Sequence, residues 1–210
     1  ATENRLPLPI LNWGWDESLL EYIPEYDPEA AKQLLADAGY EDGFTLKCTL
    51  AQGNDELMRA VTVLQSYWEE IGVNLEITAV SGSELTEMYT TGSVQVWATT
   101  QGGTSDPATF IGYFTSEAKL NTNQNSWGYA KEETELLNQE ALSLSDQDAR
   151  KDIYLEITQD FLEDDLGIFF ANTNLNMAAN NRVHGLVLEN KSVLTICGVQ
   201  DTGINIWVEE

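Results

Sequence analysis

Two stretches of period-two alternation flank one stretch of helical period, and that arrangement leaves few folds open. Phe44, Leu46, Cys48 and Leu50 alternate with Thr45, Lys47 and Thr49, the signature of a strand with one face buried. Gln52-Gly53-Asn54 reads as a turn, with Asp55 capping the next helix. Leu57, Val61, Leu64, Trp68 and Ile71 then recur at steps of four and three, the spacing of a helix that lays one stripe on a sheet. Gly72 ends it, and Val73, Leu75, Ile77 and Ala79 alternate again. A short helix over 83–91, carrying Leu85 and Met88, is broken by Gly92 and followed by a third strand over 94–99. The order is β-α-β-α-β, with crossovers long enough for parallel pairing. The fold class is α/β: a mixed sheet with a β-α-β-α-β core flanked by helices.

Residues 1–26 are irregular, with Pro7, Pro9 and Pro24 and the cluster Trp13-Gly14-Trp15. Asp27-Pro28-Glu29 opens a helix with a good cap, a proline at the first position and an acid at the positive end of the dipole. Its stripe is Ala31, Leu34, Leu35 and Ala38, and Gly39 supplies the stop. Beyond the third strand, one or two helical turns begin at Pro107, residues 115–131 are polar loop, and helices are expected over 132–144 and 146–164. Leu166-Gly167-Ile168-Phe169-Phe170 reads as a strand, and the tail from Asn180 holds short β-like pieces around 186–188, 193–197 and 204–208. The expected organisation is an irregular lead-in over 1–26, an α/β ligand-binding lobe over 27–180 and a β-rich return segment over 181–210.

Composition removes several classes of function. Lys plus Arg number 10 against 35 Asp plus Glu, a formal charge of -25. A phosphate backbone needs a basic face, so nucleic acid is excluded as a partner, and anionic membrane surfaces are excluded for the same reason. No run approaches the ~18 uncharged apolar residues of a membrane span. The single histidine, His184, rules out a His-rich metal site and a His-based triad within the chain. No Gly-rich nucleotide loop, phosphate-binding loop or calcium loop is present, and neither a cofactor nor a metal is expected. Cys48 and Cys197 could bridge, but Cys48 in a strand pattern reads as a small hydrophobe. Glu163-Asp164-Asp165 reads as a solvated helix end. Ala1 to Arg5 carries no signal-like segment, so the sequence is read as processed or excised.

In open parallel sheets, ligands bind beyond the carboxyl ends of the strands. The candidate site is therefore Thr99, Thr100, Gln101, Gly102, Gly103, Thr104 and Asp106, with glycines that let a ligand approach the backbone. Asp106 has a second reading as the cap of the helix begun by Pro107. Trp127, in a polar loop, is a candidate ligand contact, with Tyr129 beside it. Two rival functions stand beside a binding role. One is an acid-pair hydrolase resting on the many carboxylates, and the other an acidic surface adhesion or interaction module.

The run from Tyr26 through Ala38-Gly39-Tyr40 to Asp42-Gly43-Phe44 resembles the signature of the family 5 extracellular solute-binding proteins, the peptide- and nickel-type receptors of ABC importers. Leu64 to Val73, Asp106-Pro107 with Phe110, Trp127-Gly128-Tyr129, Arg150 with Tyr154, and Val183 with Gly185 are similar to later family motifs in the same order. The resemblance implies one lobe, the C-terminal one, of a two-lobe receptor that closes on its ligand. It implies a small solute, most readily an oligopeptide or dipeptide, as ligand, no catalysis, and importer membrane subunits and a missing N-terminal lobe as partners. The implied location is extracellular, at the cell surface through a lipoprotein anchor, or periplasmic. In peptide-binding members an aspartate four residues before the Asp-Pro proline pairs with the peptide amino group; that position is Gly103 here. Asp106, or an acid from the absent lobe, is left as the substitute anchor.

Overall fold

The computed structural model describes residues 1–100, 106–115, 130–173, 179–184 and 207–209. These residues form two compact units. One comprises residues 24–100 with 113–115 and 130–132; the other comprises 1–23, 106–112 and the described residues from 133 onward. Residues 133–173 join the N-terminal stretch, because helix α6 (Gln147–Glu163) brings Leu162 into one buried cluster with Leu6 and Leu19.

In the first unit, β2 (Phe44–Ala51), α2 (Asp55–Glu70), β3 (Val73–Val80), α3 (Gly82–Thr90) and β4 (Val96–Ala98) follow the expected order. The sheet is parallel with strand order β3-β2-β4. Phe44 pairs with Val73 through to Ala51 with Val80, and Cys48 to Leu50 pair with Val96 to Ala98. The two crossovers run in opposite directions from a central β2, so right-handed connections place their helices on opposite faces. Helix α2 covers the face of Cys48, Leu50 and Leu75 with its buried Leu57 and Val61; Leu46, Ile77, Val96 and Ala98 pack at the margin. Trp97 points to the other face, where its ring lies 5.5 Å from Tyr89 of α3.

Local chemistry sets most ends. Asn54, rather than Asp55, caps α2: its Oδ1 accepts the Leu57 N–H at 3.0 Å, and Asp55 becomes the first helical residue. Ser81 caps α3 and Asp146 caps α6 in the same manner. Helix α1 (Pro28–Asp37) starts from Asp27, whose Oδ1 accepts the Ala30 N–H at 2.9 Å. Its expected stripe is only half realised, since Ala31 and Leu35 are half-buried while Leu34 and Ala38 are exposed. Between α1 and β2 the backbone approaches itself closely. Gly43 has φ +75°, and a Cβ built on it would stand 2.2 Å from the Gly72 carbonyl oxygen, the acceptor of the Phe44 N–H that opens the β2–β3 ladder.

The second unit is centred on α6 and the lead-in. Leu6, Leu8, Ile111, Tyr154, Ile157 and Phe161 are almost wholly buried. Helix α4 (Pro107–Thr115) contributes Phe110 and Ile111, and α5 (Glu132–Ser143) contributes Ala141. The lead-in is ordered by buried polar side chains: Asn4 Nδ2 donates to the carbonyls of Leu6 and Leu8, and Trp15 Nε1 donates to Asn4 Oδ1. Asp16 pairs with Lys151 of α6 at 2.8 Å. The expected strand over 166–170 does not form; those residues have no regular secondary structure. Phe169 packs its ring near Phe110 and Phe161, and the strand β5 (Ala171–Asn172) pairs antiparallel with β1 (Thr2–Glu3). The short antiparallel pair β6 (Val183–His184) and β7 (Trp207–Val208) stacks the His184 ring on Trp207. Cys48 is buried as a free thiol; Cys197 lies outside the described residues, as do the expected strand pieces at 186–188 and 193–197.

Candidate functional site

The strand order β3-β2-β4 sets β4 on the edge of β2 away from β3, so the connections from β2 to β3 and from β3 to β4 cross the sheet in opposite senses; in open parallel sheets ligands bind beyond the carboxyl ends of the strands. Thr99 and Thr100 continue directly from β4 at that end, and both are exposed. The register pairing Leu50 with Ala98 sets them level with the turn that follows β2. Gln101, Gly102, Gly103, Thr104, Trp127 and Tyr129 lie outside the described residues.

Asp106 belongs to the second unit and takes the capping role. Its Oδ1 accepts the Ala108 N–H at 2.9 Å at the start of α4. The same oxygen accepts a second hydrogen bond, at 2.9 Å, from Arg150 Nη2. Arg150 and Tyr154 stand one turn apart on α6, so their side chains meet, and Nη2 also donates to the Tyr154 hydroxyl at 3.1 Å. The guanidinium carbon lies 5.1 Å from the centre of the Trp13 ring and 5.5 Å from that of Tyr154, within cation–π range of both. The two rings are themselves 5.8 Å apart. Arg150 Nε is buried with no hydrogen-bond partner among the described residues.

The hydrogen bond from Arg150 to Tyr154, and then that to Asp106, hold the guanidinium more firmly protonated than usual against the opposing effect of burial. Burial pushes the Tyr154 hydroxyl up from its ordinary range, against the pull of Arg150. Asp106, Arg150, Tyr154 and Trp13 thus form one locked cluster. The sequence pointed to Asp106 but assigned no role to Trp13, Arg150 or Tyr154. The four-residue spacing of Arg150 and Tyr154 was the only local trace of it.

Among the described residues no group of His, Cys, Asp and Glu is arranged to hold a metal ion. An open groove of about 450 Å³ between α5 and α6 is lined by Glu133, Leu136, Leu137, Glu140, Glu156 and Asp160. It presents carboxylates and leucines, with no nucleophile or cation among them. No helix of the described residues is long and apolar enough to cross a membrane.

Residues 1–122 match the model of the bacterial extracellular solute-binding proteins, family 5 Middle. Heme-binding protein A of Haemophilus influenzae is 26% identical over 162 residues, covering 73% of this chain and 28% of that protein. The dipeptide-binding protein of Escherichia coli is 24% identical over 189 residues, covering 87% and 35%. The chain therefore spans about a third or less of the length of these relatives. In structure it is similar to the oligopeptide-binding protein AppA of Bacillus subtilis, solved in complex with a nonapeptide. That match has a TM-score of 0.80 at 22% identity and covers all of this chain and 43% of the other.

Proposed function

As the chain belongs to family 5 of the bacterial extracellular solute-binding proteins, we propose that it forms part of the ligand-capturing component of an ABC importer, holding a small solute without chemical conversion. The ligand class is an oligopeptide or dipeptide. The observation that carries this reading is the family match across residues 1–122, which takes in the whole β-α-β-α-β core and the Asp106-Pro107 step. The names of the Escherichia coli relative and of the Bacillus subtilis structure support peptide as the ligand class. The acid-pair hydrolase and adhesion readings have no such support and are not carried forward.

Ligand contacts come from the stretch Thr99 to Thr104, where small side chains and glycines open backbone N–H and C=O groups to the solute, aided by Trp127 and Tyr129. The partners are a further lobe of the same receptor, which closes over the ligand, and the importer's membrane subunits. Family members are extracellular or periplasmic; attachment to the membrane through a lipid anchor is part of the proposal. Lobe closure buries the ligand from both sides, so a single lobe holds it weakly.

The test is calorimetric titration of a peptide library into the 210-residue chain and into the product of its complete reading frame. Binding at least a hundredfold tighter to the longer protein is expected. Equal, tight binding to both would show a self-sufficient pocket and overturn the shared-cleft reading.

A further inference from the structure

We infer that the groove between α5 and α6 docks a basic amphipathic segment of another protein, with the segment's apolar side chains on Leu136 and Leu137 and its lysines or arginines on the surrounding carboxylates. This surface goes beyond the ligand reading and does not rest on it. Both helices' groove residues belong to one compact unit.

Helix α5 is amphipathic in the wrong sense for its own core. The positions it buries are Thr134, Asn138 and Ala141, while Leu136 stands 57% exposed. Glu133, Leu136, Leu137 and Glu140 fall at i, i+3, i+4 and i+7, so they share a different face. Glu156 and Asp160, one turn apart on α6, complete the lining of the open groove of about 450 Å³. An apolar floor rimmed by polar groups is the anatomy of a protein–protein contact.

Charge names the occupant. All four charged side chains of the groove are carboxylates. The ion pairs among the described residues engage Glu29, Asp106, Asp16 and Glu209, none of which lines it. A cationic segment supplies the missing sign, and opposite charges across a contact steer it and fix its register. A second copy is disfavoured, because it brings a formal charge of -25 and the same carboxylates. An anionic membrane is repelled for the same reason. A groove this open leaves a small solute largely in water. The complement of Glu133-x-x-Leu136-Leu137-x-x-Glu140 is a helix whose paired leucines are flanked by lysines, laid along the groove.

The experiment follows the fluorescence anisotropy of a labelled alanine-based peptide carrying Lys-x-x-Leu-Leu-x-x-Lys. It is titrated with the 210-residue chain and with the product of its complete reading frame. Saturable binding to both is expected, at least about tenfold tighter than for a scrambled peptide of the same composition. Leu136→Gln should weaken it at least about fivefold, and Glu133→Lys with Glu140→Lys at least about tenfold. The same double reversal at Glu41 and Glu69, exposed acids of the other unit, should change it less than about threefold. Leu136→Ala serves if Leu136→Gln does not fold. Equal weakening by the two reversals, or equal binding of the scrambled peptide, would show a diffuse response to net charge and overturn the inference. Displacement by an equal concentration of spermine, which has the charge and no apolar face, would make the groove a small-cation site and overturn it too. A native dimer in sedimentation, lost in Leu136→Gln, would give the face to a second copy instead. Binding to the 210-residue chain and not to the longer protein would make the groove an internal contact of the receptor, and no binding to either protein also overturns the inference.

Discussion

Replacing Gly43 by alanine should damage the parallel sheet far more than the same change at other left-handed glycines. At Gly43 two costs combine. An L-residue at φ +75° sits in the left-handed region, costing about 1–2 kcal/mol. The new Cβ also stands 2.2 Å from the Gly72 oxygen and 3.1 Å from the Gly72 carbonyl carbon, which are backbone atoms with no rotamer to escape into. Relieving that overlap means moving the acceptor of the Phe44 N–H, and overpacking of this kind typically costs about 1–3 kcal/mol. The expected loss is therefore about 2–5 kcal/mol. Gly39 and Gly53, at φ +86° and +89°, have nothing within 4 Å of a built Cβ, so Gly39→Ala and Gly53→Ala should show the conformational cost alone. Urea unfolding with amide hydrogen exchange at Leu46, Cys48 and Leu75 isolates the unit concerned. A Gly43→Ala loss within about 0.5 kcal/mol of the Gly39→Ala loss would refute the close-approach argument, because it would leave the conformational term as the whole effect.

Two further outcomes can be checked in the same material. Asp16 is held at about 2, below its ordinary 3.8, first by the hydrogen bond from Lys151 and then by those from Ser18. A carboxyl depressed in the folded state stabilises above its ordinary value, and that contribution fades as pH falls toward the folded value. Lys151→Met should therefore flatten the stability profile between about pH 4 and pH 2, and superimposable native and variant profiles would contradict the pairing. Cys48 is 2% exposed and burial pushes its thiol up. In a Cys197→Ser background it should resist an aromatic disulfide reagent in buffer and react at once in urea; equal rates in both would show that the strand opens freely.

The β2-α2-β3 segment was legible because its information is local. Each strand's apolar positions stand two apart and the helix's three or four apart, and the glycine punctuation fell where the chain turns. The third strand was shorter than its apolar run. Ser93 is tied back to the Met88 carbonyl, and the Gln95 side chain accepts the Lys47 N–H, which leaves Val96–Ala98 to pair. What the sequence withheld is pairing at long range. Residues 166–170 look like a strand, yet the partner of the neighbouring β5 is Thr2–Glu3, at the far end of the chain. The joining of Leu6 and Leu19 to Leu162, and of Trp13 to Arg150, is equally nonlocal. No periodicity encodes such contacts. At the candidate site, Asp106 was visible as a cap. Its ion pair was not, because the partner lies 44 residues further on.

The three-stranded ladder has one firm border and one soft one. On its β3 side the central strand is secured over eight consecutive residue pairs, closed by a helix between near neighbours in sequence. On its β4 side only three pairs hold. Pairing β2 with β3 closes a shorter stretch of chain and forms more pairs than pairing β2 with β4, so the expected order of assembly has β4 docking last. Unzipping runs the other way. The chain runs on to Thr99 and Thr100 from the border with the fewer pairs, so changes at those two residues leave the eight-pair border untouched.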